Sequence, residues 1–106
     1  MASGILGRLK PSGGNVGHTD VVFTATTTTT LILSICNVSA AADTVEIALL
    51  DAGATSVTDA DKIEKDYSLA ANTAYERTGI VLGAGQFLVA GSGAGSIVFV
   101  AYGLES

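Results

Sequence analysis

Residues 28–37 read TTTLILSICN, and this stretch decides the fold class. Apolar side chains recur at every second position across its second half. One set comprises Leu31, Leu33 and Ile35, and the other comprises Ile32, Ser34 and Cys36. Successive side chains of a β-strand point to opposite faces of its sheet, so this period of two predicts a strand with one face in a core. The threonines before it are β-branched and also favour a strand.

Apolar runs of similar length lie on both sides of this strand, separated by turns rich in Gly, Ser, Asn, Asp and Ala. The candidate strands are 21–25, 28–37, 44–51, 62–69, 73–82, 86–91 and 96–105. Short strands at such regular spacing are typical of a β-sandwich or β-barrel. We predict an all-β fold, a single antiparallel β-sandwich of about seven strands, with jelly-roll and immunoglobulin-like strand orders both open.

Two details of this assignment depend on local sequence. Residues 62–77, KIEKDYSLAANTAYER, contain good helix formers, but their alternation and the central Asn72 favour two strands and a turn. The glycine-rich segments 83–85 and 92–95 are short enough to be hairpin turns, which predicts that they join antiparallel neighbours. Strand-like sequence follows both segments, whereas a phosphate-binding glycine loop is followed by a helix.

The composition limits the function classes. Of the 106 residues, 48% are apolar and 14% are charged, against the usual quarter, so we expect part of the surface to be covered by copies of the chain or by a partner. The net charge is −5 and Lys and Arg form no cluster, which argues against nucleic-acid binding. No apolar run is long enough for a membrane-spanning helix, so we expect no membrane partner.

Residues that could carry chemistry are few and scattered. The chain has one histidine, His18, and one cysteine, Cys36, which we interpret as a small buried apolar residue. Asp59, Asp61 and Glu64 lack the glycine and the further oxygen ligands of a calcium loop. We therefore expect no enzyme activity, no cofactor, no metal site and no small-molecule substrate.

The first nineteen residues differ from the rest of the chain. Glycines and the single proline suit an extended segment, yet apolar residues occur among them, and such a segment can lie along another subunit or add a strand to its sheet. We predict that residues 1–19 form an extended N-terminal arm and residues 20–106 the β-sandwich domain, with a disordered tail as the alternative. The expected partner-binding residues are Ile5, Leu6, Arg8, Leu9, Lys10 and Pro11.

Several motifs occur in one order along the chain: MASGILG (1–7), SICN (34–37), DYSLAANTAYERTGIVLGAGQ (66–86) and VAYGLE (100–105). With these motifs, nearly the whole chain resembles small virion structural proteins of tailed bacteriophages, in particular those of cyanophages. In such proteins a strand ending in ICN precedes an alternating strand, represented here by Val45-Glu46-Ile47-Ala48. The first strand departs from the family pattern because it lacks the proline that members often show.

The resemblance implies a non-enzymatic subunit of the virion. We expect a capsid decoration (cement) protein at the capsid surface, whose partners are the major capsid protein or other virion proteins. A homo-oligomer, a trimer or dimer, would place identical arms on symmetric shell sites, where many modest contacts add together. A tail, baseplate or fibre subunit is the alternative. A receptor- or glycan-binding module is a third hypothesis, for which segment 52–61 is the one loop long enough to form a pocket.

Overall fold

The computed structural model describes residues 3–106, so the first two residues of the expected arm lie outside the described residues. It contains eight strands and one short 3₁₀ turn, Asp59–Asp61. The strands are β1 (Ser3–Leu9), β2 (Val21–Thr24), β3 (Thr29–Asn37), β4 (Asp43–Leu50), β5 (Lys62–Leu69), β6 (Ala74–Leu82), β7 (Phe87–Ser92) and β8 (Ile97–Glu105). The all-β prediction is confirmed, with eight strands where the sequence predicted about seven.

The strands form two four-stranded antiparallel sheets that pack face to face. Sheet I has the order β1-β8-β3-β6, and sheet II has the order β2-β7-β4-β5. The antiparallel pairs β1–β8, β2–β7, β3–β6 and β4–β5 are nested, like one long hairpin whose tip is the loop 51–61. The pairs β3–β8 and β4–β7 then join the two halves of this ribbon into sheets.

This strand order overturns the expected hairpins near the C-terminus. The segment 83–85 leads from β6 in sheet I to β7 in sheet II, and 92–95 lies where the chain returns from β7 to β8 in sheet I. Both segments therefore cross between the sheets. A short turn brings the next strand close by, but it does not determine whether that strand joins the same sheet or the facing one.

The main core lies between the two sheets and follows the alternation of the strands. Leu31, Leu33 and Ile35 of β3 are fully buried there, as the sequence predicted, together with Phe99 of β8. Cys36 points the other way and is half-buried on the outer face of sheet I. The interpretation of Cys36 as a core residue is corrected, because its position in the alternation places it opposite the buried set.

A second apolar cluster covers the outer face of sheet II. Its members are Val16, Ala48, Leu50, Phe87 and Val89, with Val21, Ala54 and Val57 packed against them. The chain segment between β1 and β2 and the loop between β4 and β5 supply the covering side chains. The two central strands of sheet II, β7 and β4, are therefore covered on both faces, which explains why every residue of β7 is buried.

The N-terminal segment is part of this sandwich. Residues 3–9 form β1, an edge strand that pairs antiparallel with β8 from Ser3 opposite Leu104 to Leu9 opposite Phe99. The sequence predicted an extended arm over residues 1–19, whereas residues 3–9 of this segment form a strand of the chain's own sheet. Its apolar side chains suggested an external partner because the sequence does not show that β8 leaves an edge open for them.

Candidate interaction surface

The outer face of sheet I is left uncovered by residues 3–106, and we call it the open face. Cross-strand register defines its members, since directly paired residues point to the same side of a sheet. They are Ile5 and Arg8 of β1, Val98, Val100, Tyr102 and Leu104 of β8, Thr30, Ile32, Ser34 and Cys36 of β3, and Ala74, Glu76 and Val81 of β6. No described segment lies across this face as Val16 and its neighbours lie across sheet II.

The open face is strongly apolar for an exposed sheet. Five large hydrophobic residues are exposed in the described part of the chain, and three of them lie on this face. Ile5 is 61% exposed, Val81 is 56% exposed and Leu104 is 54% exposed. Single exposed apolar residues are ordinary, whereas a contiguous apolar patch marks a surface that binds another protein or a ligand.

One row of residues crosses the open face from edge to edge. Arg8 pairs with Val100, Val100 pairs with Ser34, and Ser34 pairs with Glu76. A cation therefore stands at the β1 edge and a carboxylate at the β6 edge, with two small uncharged residues between them. The row has opposite charges at its two ends.

Arg8 differs from the other basic residues in having no ion-pair or hydrogen-bond partner among residues 3–106. The other four are paired: Lys62 with Glu46, Lys65 with Asp59, Arg77 with Glu64, and Lys10 with the carbonyl oxygen of Gly95. Its guanidinium is thus exposed beside an apolar surface and free to bind a carboxylate.

At the opposite edge, only one of the two carboxylate oxygens of Glu76 has a hydrogen-bond donor among residues 3–106. Its Oε2 accepts a hydrogen bond from the Tyr102 hydroxyl, and this bond to a carboxylate raises the pKa of Tyr102. No donor among residues 3–106 reaches the other oxygen, Oε1. Glu76 is therefore held in place by Tyr102 and can still accept a hydrogen bond from outside the chain.

The six residues predicted to bind a partner are divided between two sides of β1. Ile5 and Arg8 lie on the open face, whereas Leu6 and Leu9 pack against the core. Pro11 is buried, and Lys10 Nζ donates a 2.8 Å hydrogen bond to the carbonyl oxygen of Gly95. That these residues bind a partner stays a prediction; the structure brings two of them into one exposed surface.

Sequence reasoning missed the contribution of β8 to this surface. Val98, Val100, Tyr102 and Leu104 alternate with the core residues of the same strand, so both of its faces are apolar. A strand that is apolar on both faces is expected to be covered on both. That signal was visible in the stretch IVFVAYGL (97–104), but it did not show which face the chain itself covers.

A polar cluster closes the opposite edge of the sandwich, between β5 and β6. Glu64 accepts a 2.8 Å hydrogen bond from the Tyr75 hydroxyl at Oε2 and a 2.9 Å bond from Arg77 Nη1 at Oε1. Tyr67 packs edge-on against Tyr75, with ring centroids 5.2 Å apart. Burial, together with the Glu64 carboxylate, raises the pKa of Tyr75. Every member has a partner within the cluster, so it stabilises the edge.

A shallow depression of about 530 Å³ lies on the other side of the molecule. His18 and Thr24 line it together with Gly53 of the predicted pocket-forming loop and the ring of Phe87. Its polar side chains are His18, Thr19 and Thr24, and among the described residues its lining includes no carboxylate, side-chain amide or tyrosine. His18 lies here over sheet II and Cys36 lies on the open face, so the two are on opposite sides.

Two further features bear on the classes considered. Across residues 3–106, no three His, Cys, Asp or Glu side chains are grouped so that they could hold a metal ion. The same residues include no helix of the length and apolar character needed to cross a bilayer.

No protein-family model, curated protein or solved structure matches the chain. The similarity to phage virion proteins therefore stays a prediction.

Proposed function

We propose that the protein is a non-enzymatic structural subunit of a phage particle, a capsid decoration protein bound to the major capsid protein at the capsid surface. One observation supports this most directly: one sheet is covered by the chain's own segments, and the other presents an uncovered apolar face. A protein whose most distinctive surface is an exposed apolar sheet face acts by binding proteins, whether copies of itself or neighbours in the particle. The motif order of the sequence supports the virion as the setting.

Of the two sandwich types left open by the sequence, we favour the jelly roll. In the strand order β1-β8-β3-β6 over β2-β7-β4-β5, all connections except β4–β5 cross between the sheets. An eight-stranded double sheet made by rolling up one long hairpin is a jelly roll, a fold found in viral capsid and lectin domains. One fold serves many functions, so the jelly-roll strand order is only supporting evidence for the virion proposal.

The N-terminal segment supplies a contact with the shell. β1 is the edge of sheet I, and an edge strand offers unpaired backbone groups to which a neighbouring chain can add a strand. Ile5 and Lys10 are exposed at this edge, while the packed side chains of Leu6 and Leu9 hold the strand in place. Contacts of this kind are weak singly, but they add together over the many copies on a shell.

Quantitative mass spectrometry of purified virions tests the proposal. A copy number close to that of the major capsid protein is the expected result. A few copies per particle would contradict decoration and favour the tail, baseplate or fibre alternative. Absence from the particle would overturn the structural role itself.

A pair of point variants tests the edge contact. Ile5→Asp should reduce occupancy on shells, because it puts a charge on the exposed edge strand. Thr55→Asp is the control, since Thr55 is exposed in the loop 51–61, which packs against the outer face of sheet II, away from the open face. Equal occupancy of the two variants on shells, measured by sedimentation with capsids, would contradict a contact through β1.

A further inference from the structure

We propose that the open face binds a second copy of the same chain in a twofold-symmetric dimer, with Arg8 of each copy facing Glu76 of the other. This proposal does not depend on the virion setting, because it follows from the pattern of charge and apolar residues on the open face alone.

The row that crosses the sheet determines the symmetry. Arg8 stands at the β1 edge and Glu76 at the β6 edge of one row, with β8 and β3 between them. A twofold axis that lies in the interface, between β3 and β8 and parallel to them, exchanges the two edges. It places Arg8 of one copy over Glu76 of the other, and the same pair forms again at the opposite edge. A twofold contact has this reciprocal form, in which residue i meets residue j twice.

The alternative twofold axis is disfavoured by the same row. An axis that crosses the strands along this row would place Arg8 opposite Arg8 and Glu76 opposite Glu76. Like charges that face each other in an interface oppose association. The charge pattern therefore selects the axis parallel to the strands, and the two sheets then pack with their strands within about 30° of each other, as aligned sheets do.

Both charged groups have capacity for such a contact. Arg8 has no partner among residues 3–106, and Glu76 Oε1 receives no hydrogen bond from them while Tyr102 holds Oε2. A guanidinium and a carboxylate form strong charge-assisted hydrogen bonds. A second copy of this chain therefore supplies a carboxylate to Arg8 and a guanidinium to Glu76.

The size of the open face suits a modest dimer. Four strands span about 19 Å across the sheet, and nine paired residues of β3 and β8 span about 30 Å along it. The projected area is about 570 Å² per copy, near the lower limit of about 600 Å² per partner for specific interfaces. Apolar side chains fill its middle, with Val100 and Ile32 on the two strands next to the axis. An interface of this size predicts a dimer whose population depends on concentration.

Charge reversal combined with sedimentation velocity over a range of concentrations tests the proposal. The wild-type chain should show a reversible monomer–dimer equilibrium. Arg8→Glu and Glu76→Arg should each raise the dissociation constant by about tenfold or more, because each creates two like-charge contacts. The control Lys65→Glu makes the same charge change as Arg8→Glu on β5, away from the open face, and should leave the constant unchanged.

The combined variants test the charge pairing. Arg8→Glu together with Glu76→Arg in one chain should restore dimerisation, because the introduced carboxylate of one copy would then face the introduced guanidinium of the other at both ends. An equimolar mixture of the two single variants should form a heterodimer more readily than either forms a homodimer. Circular dichroism melts establish that each variant is folded before it is compared.

The partly buried thiol of Cys36 provides an independent test of the same face. Cys36 lies on β3 beside the proposed axis, so its reaction with a thiol reagent should slow as the protein concentration rises. A wild-type chain that stays monomeric at millimolar concentration would overturn the proposal. An effect of Arg8→Glu no larger than that of Lys65→Glu, or a double variant that stays dissociated, would overturn the charge pairing and the axis.

Discussion

Asp43 Oδ2 accepts a 2.7 Å hydrogen bond from Ser96 Oγ, and this contact ties the first residue of β4 in sheet II to the residue before β8 in sheet I. The same carboxylate accepts hydrogen bonds from the backbone amides of Thr44, Ala94 and Ser96. Burial by itself raises the pKa of Asp43, but these four donors favour the charged form and lower the pKa to about 2. The two sheets are thus joined by one carboxylate at this end of the sandwich.

The lowered pKa of Asp43 predicts a pH-dependent contribution to stability. The folded-state pKa is about 2 against an ordinary value of 3.8, so the contribution is complete above about pH 5 and disappears as the pH falls through about 2. Its size is about 2 kcal/mol. Asp43→Asn should lower the free energy of unfolding at pH 7, measured by urea titration, and the difference from wild type should shrink towards pH 2. Asp66→Asn, at an exposed position, is the control; an equal effect of both variants would contradict this account.

Gly7 is required because β1 passes close to β2. A Cβ atom built on Gly7 would overlap the backbone carbonyl oxygen of Val22, so the two strands would have to separate. We expect Gly7→Ala to destabilise the fold by about 2 kcal/mol in a chemical melt, in the range of overpacking substitutions. Gly17→Ala is the matched control, since its Cβ would be 3.5 Å from Asp20 Oδ2, an ordinary contact. Equal free energies of unfolding for the two variants would show that β1 does not pack against β2 as described.

The strands themselves could be predicted from the sequence because a period of two is a local property. Leu31, Leu33 and Ile35 alternate within one strand, and the prediction that they share a buried face is confirmed. The pairing of strands is not local. Ser3 lies opposite Leu104, and nothing near residue 3 in the sequence shows that β8 needs a neighbour, so the same apolar residues suggested an external arm.

The open face was only partly predictable for the same reason. Ile5 and Arg8 were selected from the sequence, whereas Val81 and Leu104 were not, although all four lie on one surface. Whether an apolar residue on an outer face is covered depends on where distant segments lie. Val16 covers sheet II, and no described segment does the same for sheet I.

Phe99 is the largest fully buried side chain of the core, and its removal should be costly. We expect Phe99→Ala to lower the free energy of unfolding by about 3–5 kcal/mol, because it removes buried apolar surface and leaves a cavity. Val98→Ala, on the opposite face of the same strand, should cost less than about 1 kcal/mol in the monomer. The two variants are compared by urea unfolding at low protein concentration. A larger loss of stability for Val98→Ala than for Phe99→Ala would show that Val98, and not Phe99, points into the core.

Lys62 and Glu46 form an ion pair beneath the segment that covers sheet II. Lys62 Nζ lies 3.0 Å from Glu46 Oε2, and Glu46 Oε1 accepts a 3.1 Å hydrogen bond from the amide of Val16. Glu46 is 5% exposed, so Lys62→Met leaves a buried carboxylate without its cation and should cost about 3 kcal/mol. Lys62→Met combined with Glu46→Gln should recover part of that loss in a thermal melt. A double variant less stable than Lys62→Met would contradict this explanation.

Deletion of residues 1–19 distinguishes a strand of the sandwich from a dispensable arm. The deletion removes β1 with the packed side chains of Leu6 and Leu9, and it uncovers sheet II where Val16 was buried. The lost burial predicts a decrease of at least about 3 kcal/mol in the free energy of unfolding, together with faster amide exchange in β8. Ile5→Ser changes the same strand at an exposed side chain and should leave stability within about 0.5 kcal/mol of wild type. A truncated chain as stable as the intact one would mean that the segment serves only contacts outside the domain, as the sequence alone predicts.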